Sequence, residues 1–275
     1  MSPNPTELKL AVLIDADNVP YSNVKGMMEE IAKFGTPTTK RIYADWTRPN
    51  ATGWKGVLLE HAITPVQQYS YTVGKNSSDS ALIIDAMDLL YAGKVDGFCI
   101  VSSDSDFTRL AIRLRESGMM VIGIGEKKTP SSLIAACDRF IYLEVLDGAI
   151  KKKAPKGTAA RNMDKNPERI TGKSAEKTLI KPAEKTAPKT FDRIDEPTLE
   201  LIESTIDDIG DDDGWAFLGD VGNLIVRKKP EFDPRTYGFN KLTPMLKSLT
   251  DILEIDERDS DKKGIKHVYV RLKLG

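Results

Sequence analysis

Cysteine and histidine are scarce: the 275 residues include 2 of each, Cys99, Cys137, His61 and His267. Two cysteines in apolar surroundings build neither a disulfide framework nor a cysteine-rich zinc site. The two histidines lie far apart in sequence, which argues against a zinc hydrolase, so any metal chemistry must lean on oxygen ligands. Long apolar runs are missing too. None approaches a membrane span, and no membrane partner is expected. The opening MSPNPTELKL lacks a basic stretch leading into a long apolar core, so it does not read as a signal peptide. A cytoplasmic location is the resulting expectation. Net charge is nearly absent, with 40 basic against 41 acidic side chains, and the total therefore singles out no class of partner.

What is present is unevenly distributed. Residues 1–149 carry 15 basic and 18 acidic side chains, residues 151–191 carry 12 and 4, and residues 192–275 carry 13 and 19. The middle stretch is rich in Lys, Ala, Pro and Thr and almost free of large apolar residues. It cannot bury enough surface to offset the entropy of ordering, so residues 148–191 are expected to form a basic disordered linker. The chain divides accordingly into residues 8–147, this linker, and residues 192–275.

The first region alternates short apolar runs with helical patterns. Strands are expected at Leu10–Ile14, Thr39–Ala44, Thr64–Tyr69, Gly97–Val101 and Met119–Ile124. Helices are expected at Met27–Phe34, Gly56–Ala62, Ser80–Ala92 and Phe107–Glu116. Apolar strands without alternation, separated by helices, predict an α/β domain with a parallel sheet covered on both faces. Ligands of such sheets gather beyond the carboxyl ends of the strands.

Aspartates collect at those ends. Asp15, Asp17 and Asn18 follow the first strand, Asp104 and Asp106 follow the strand ending at Val101, and Asp79 precedes the helix at Ser80. Singly, each reads as a turn or capping residue. Together they crowd like charges on one edge, which is unfavourable unless a cation neutralises them. An oxygen-only cluster suits Mg2+ or Mn2+. A metal held by Asp15 and Asp104 would acidify a bound water and polarise a phosphate oxygen, with Asp79 and Asp106 completing the site or holding a second ion about 4 Å away. Asn18 would orient a water or a carboxylate, and Lys75 and Ser103 are expected to meet the substrate. Asp17 is not placed in the set, and Asp85 has at best a supporting place. Trp46, Trp54 and Tyr69 are candidates for stacking on bases, with core packing the stronger role for Tyr69.

Leu10–Asn18 (LAVLIDADN), Lys75–Asp79 followed by Ala81–Asp85 (ALIID), and Ser102–Phe107 (SSDSDF) resemble, in order and spacing, the NYN family of PIN-like nucleases, in its LabA-type and limkain-type members. The resemblance covers roughly residues 8–146. It implies a PIN-like three-layer α/β/α domain, a Mg2+ or Mn2+ site and single-stranded RNA as substrate. The family's acidic positions fall on Asp15, Asp79, Asp104 and Asp106, and its amide position on Asn18. Ser102 and Ser103 stand where the family commonly has Gly. Several relatives act as RNA-binding regulators, so a non-catalytic reading stands beside the ribonuclease. Asp15-Ala-Asp-Asn-Val19 also resembles the first motif of haloacid-dehalogenase-like phosphatases, but the later Ser or Thr, Lys and widely spaced acids of that family are missing.

In the last region, Leu199–Ile209, Trp215–Val226 and Asn240–Leu249 read as helices, and Ile252–Asp256 with Ile265–Leu272 as a hairpin. Val268, Val270 and Leu272 are expected to face inward, and His267, Tyr269 and Arg271 outward. This is the outline of a small α+β winged helix. Phe232–Leu249 (FDPRTYGFNKLTPMLKSL) and the preceding helix resemble the LOTUS, or OST-HTH, domain, which implies docking to RNA or to a protein partner. Acidic charge over this region weighs against strong phosphate binding by the whole surface, while Arg227–Lys229 and Lys262-Lys263 are local basic patches.

Overall fold

The computed structural model of the chain describes residues 7–17, 19–47, 53–69, 77–150, 192–259 and 266–273. Asn18, Lys75 and residues 151–191 of the expected linker lie outside them.

Apolar runs without alternation become the central strands. β1 (Lys9–Asp15), β4 (Gly97–Val101) and β5 (Met120–Gly125) are buried along nearly their whole length. β2 (Thr36–Ala44), β3 (Thr64–Gln67) and β6 (Arg139–Tyr142) extend them into a six-stranded sheet of order β3-β2-β1-β4-β5-β6, parallel throughout. Such strands stay apolar on both sides because helices cover both faces. One face packs Val24, Met27 and Ile31 of α1 (Val24–Ile31), Trp54 and Leu58 of α2 (Trp54–His61) and Leu146 of α6 (Leu143–Ile150). The other packs Leu82 and Ala86 of α3 (Ser77–Ala92), Leu110 and Leu114 of α4 (Thr108–Glu116) and Leu133 of α5 (Ser131–Ala135). Three layers result, as expected. The chain runs from β1 outward to β3, then returns to the other side of β1 as β4. The strand order therefore switches direction between β1 and β4, and in such sheets ligands gather at that point beyond the carboxyl ends.

The helix carrying Asp79 is fastened to the sheet by one polar cluster. Asp85 of α3 accepts from the Tyr43 hydroxyl at 2.7 Å and pairs with Arg41 at 2.8 Å, both partners on β2. Burial, and then the bond to Asp85, hold the Tyr43 phenol far above its ordinary pKa. Asp85 thus fixes α3 against β2.

The second domain comprises α7 (Glu196–Ile209), β7 (Ala216–Phe217), α8 (Leu218–Lys228), α9 (Leu242–Lys247), β8 (Leu253–Asp259) and β9 (Lys266–Leu272). Its three strands form an antiparallel sheet of order β7-β9-β8. The expected helix at Trp215–Val226 is corrected: Ala216 and Phe217 are strand, paired to Val270 and Tyr269. Val270 faces the core. On the opposite face the Arg258 guanidinium lies 4.2 Å from the Tyr269 ring centroid, and that of Arg271 lies 4.7 Å from the Trp215 ring.

The two domains touch through charge. Arg235 donates to both Glu30 oxygens at 2.9 Å and to Asp233 at 2.6 Å. Beside this pair the Phe140 N–H donates to the Pro230 carbonyl at 3.0 Å, and Lys127 pairs with Asp192 at 2.6 Å. Burial pushes the Glu30 carboxyl up, but its bonds to Arg235 and Lys33 outweigh burial and hold it below the ordinary carboxylate range. A carboxyl with a depressed folded pKa stabilises the contact above its unfolded pKa, and the contribution disappears as pH falls through the folded value. Arg235→Ala should therefore cost about 1–3 kcal/mol at neutral pH, read as a lower melting temperature and a larger radius in small-angle scattering. Wild-type protein should lose the same contact as pH falls below the ordinary carboxylate range. An unchanged radius in both experiments would show that other contacts hold the domains together.

Candidate active site

β1 delivers Asp15 to the switch point. It is the last residue of the strand and only 1% exposed. Its two oxygens are engaged by the chain itself: Oδ2 accepts from Ser102 Oγ at 2.9 Å and Oδ1 from the Asp17 N–H at 3.2 Å. Ser102, directly after β4, also accepts from the Asp104 N–H at 3.1 Å. One serine thus ties the end of β1 to the loop that carries the next two acids. The loop is drawn in tightly, since a Cβ on Gly125 at the end of β5 would stand 2.8 Å from the Ser102 carbonyl oxygen.

Asp104 has the extended conformation of a cap, and its Oδ1 accepts from the Asp106 N–H at 2.9 Å, opening the 3-10 turn Ser105–Phe107. Phe107 buries the turn in the core. Asp79 enters from the other side. It lies within the first turn of α3, not before the helix, and is 7% exposed. The positive end of the helix dipole favours an anion there.

Asp79, Asp104 and Asp106 each present one carboxylate oxygen, and these atoms lie within 4.8 Å of one another. Ligand oxygens around an octahedral ion at about 2.1 Å stand roughly 3–4 Å apart, so modest side-chain rotation suffices to close the three around one ion. Three carboxylates this close attract a cation, and an all-oxygen donor set is what Mg2+ or Mn2+ takes. The residues present fit such an ion.

The other expected site residues are placed as follows. Asp15 is outside the close trio and coupled to it through Ser102. Asp17 is exposed. Ser103 is nearly buried and its hydroxyl accepts from the Glu126 N–H at 2.8 Å, so it braces the loop after β5. Trp54, weighed as a stacking residue, is corrected to a core residue, 3% exposed. Trp46 is half-buried and gives its indole N–H to the Val66 carbonyl at 2.9 Å. Tyr69 is corrected in the other direction, being more than half exposed rather than packed. Asn18 and Lys75 lie outside the described residues. The reading of the sequence missed Ser102 as an organiser, because its partner Asp15 is 87 residues away.

Comparison with known proteins gives two family matches: an NYN domain over residues 9–144 and an OST-HTH/LOTUS domain over residues 190–265. No curated protein matches the chain. A crystal structure of a protein of unknown function from Vibrio parahaemolyticus is 20% identical, covering 50% of this chain and 93% of that one with a TM-score of 0.43. A solution NMR structure of an uncharacterized protein from Nitrosomonas europaea is 30% identical, covering 37% of this chain and 94% of that one with a TM-score of 0.28. Among the described residues, no helix is long and apolar enough to cross a membrane.

Proposed function

We propose, starting from an NYN-domain protein that also carries an OST-HTH/LOTUS domain, that this chain is a divalent-metal-dependent ribonuclease hydrolysing phosphodiester bonds of single-stranded RNA. The observation that carries the reading is the convergence of Asp79, Asp104 and Asp106 at the switch point of the sheet. Binding RNA requires cations on the protein side; it does not require three carboxylates turned toward one another, which repel phosphate.

Asp79, Asp104 and Asp106 would hold the ion, with Asp15 beside them through Ser102. Bound Mg2+ or Mn2+ supplies a polarised phosphate oxygen and a water acidic enough to attack near neutral pH. The protein's own contribution is a preset frame. Ser102 and Ser103 fix the loop after β4, and Asp85 holds α3 so that Asp79 needs little rearrangement. Asn18 keeps its proposed role of orienting a water or carboxylate, and Lys75 that of meeting a substrate phosphate. The basic segment 151–191 adds phosphate contacts and the counterion release that accompanies them. The second domain targets the enzyme to RNA or to a protein partner.

The direct experiment is cleavage of end-labelled single-stranded RNA by purified full-length protein, with Mn2+, Mg2+ or EDTA. Products that require the metal and disappear in EDTA support the reading. RNA binding without cleavage in either metal would replace it with a non-catalytic RNA-binding regulator.

A further inference from the structure

An exposed aromatic ring is held in place beside the proposed catalytic edge. Tyr21 begins the 3-10 turn Tyr21–Asn23, between β1 and α1, and is 51% exposed. Exposure of one aromatic is unremarkable by itself. What distinguishes Tyr21 is the way it is braced. Gly53 has φ −65° and ψ −22°, a conformation open to any residue. Yet a Cβ there would lie 2.7 Å from Cε1 and 2.9 Å from Cδ1 of Tyr21. A side chain at position 53 would therefore push the Tyr21 ring aside, while the backbone there would accept it. Trp54 then meets the same ring edge-on, with centroids 6.5 Å apart and planes at 68°. Trp54 is itself locked in the core, so the support is rigid. One side of Tyr21 rests on Gly53 and Trp54, and the rest of the ring is open to solvent.

The turn carrying Tyr21 is fixed by its own bonds, from the Asn23 N–H to the Pro20 carbonyl at 3.1 Å and from Ser22 Oγ to Asn23 Oδ1 at 2.9 Å. Tyr21 follows β1 by six residues and so lies toward the carboxyl edge of the sheet, the edge on which Asp79, Asp104 and Asp106 gather. A strand of nucleic acid laid along that edge would pass both. A rigid, half-open aromatic face suits a nucleobase, since every base has a π-face and stacking tolerates any sequence.

We propose that Tyr21 is a positioning residue on which one base of single-stranded RNA stacks, setting the register of the phosphate presented to the three aspartates. This rests on the ribonuclease reading for its substrate. Stacking on one aromatic accounts for about 5–150-fold in affinity.

The test uses full-length protein and an RNA oligonucleotide carrying 2-aminopurine, titrated in EDTA so that binding is read without cleavage. Turnover is measured separately with Mn2+. Tyr21→Ala should weaken binding about tenfold, abolish the stacking-dependent quenching of 2-aminopurine, and raise KM with a smaller change in kcat. Tyr21→Trp should restore both signals. Gly53→Ala, which displaces the ring without removing it, should give an intermediate loss. Tyr91→Ala is the comparison, because Tyr91 is 73% exposed but lies near the far end of α3; it should bind like wild type. Wild-type binding and quenching by Tyr21→Ala, or failure of Tyr21→Trp to restore a loss, overturns the inference while leaving metal-dependent cleavage as evidence for the ribonuclease. Binding with no cleavage removes the ribonuclease while the substitution series still decides on Tyr21. No binding by wild type overturns both.

Discussion

Asp104→Asn should lower the rate of metal-dependent RNA cleavage by roughly 10²–10⁴-fold at saturating RNA, with the fold unchanged. The substitution separates two tasks of one side chain. As a cap, Asp104 uses Oδ1 to accept the Asp106 N–H at 2.9 Å; the amide oxygen of Asn accepts the same bond, and Asn is as good a cap as Asp. As a proposed ligand, Asp104 contributes charge, which the amide lacks. The 3-10 turn therefore persists, and the Asp104 N–H still reaches Ser102 Oγ. Removing one of three mutually repelling charges should also leave the metal-free melting temperature equal or higher. Retention of wild-type cleavage by pure Asp104→Asn protein would sink the assignment of the site to this trio. Asp15→Ala is a poorer probe. It leaves the buried Ser102 hydroxyl without its acceptor, at a cost of about 1–3 kcal/mol, so lost activity would be confounded with lost stability.

Millimolar Mn2+ should raise the melting temperature of the wild-type protein, and that rise should be largely lost in Asp79→Asn. A ligand that binds only the native state stabilises it by mass action, about 2.7 kcal/mol at a hundred times the dissociation constant. For a domain near 140 residues this corresponds to roughly 5–10 °C. The gain is expected because the native fold brings together three oxygens that are scattered in the unfolded chain, and because the ion relieves their repulsion. Calorimetry or fluorescence-monitored melting with and without metal gives the answer. A rise of the same size in Asp79→Asn would place the ion elsewhere.

The parts legible in the sequence were those written locally. Leu10–Ile14 and Gly97–Val101 lack alternation because both of their faces are covered, and that alone announced a parallel sheet. Asp15, Asp104 and Asp106 were visible because they follow strands closely, and Asp79 because it stands at the start of a helix. Shorter pieces escaped: α5 and β6, five and four residues long, offer too little length for a period to show. β7 was absorbed into a helix because Trp215–Phe217 continues the apolar spacing of α8, and only its pairing with Val270 and Tyr269 makes it strand. At the site, the ligand candidates were readable and their supports were not. Ser102 owes its role to Asp15, a partner that only the folded chain brings near, and the Tyr43 and Arg41 partners of Asp85 were equally out of local view. The Arg235–Glu30 contact spans 205 positions and two domains, and no local pattern encodes it.

The contact between the domains bears on more than their relative position. A parallel sheet has two open sides, each a template for pairing with another molecule. Here the β3 side carries Pro65, which has no N–H to offer. The β6 side has no such guard, and the outward N–H of Phe140 is taken by Pro230 of the second domain. Removal of residues 192–275 would therefore uncover a short apolar strand with a free donor, next to a Glu30 carboxylate that keeps Lys33 and loses Arg235. The second domain thus covers the edge most open to edge-to-edge pairing, and a fragment cut off near residue 150 would be expected to need that edge blocked in some other way before it stays monomeric.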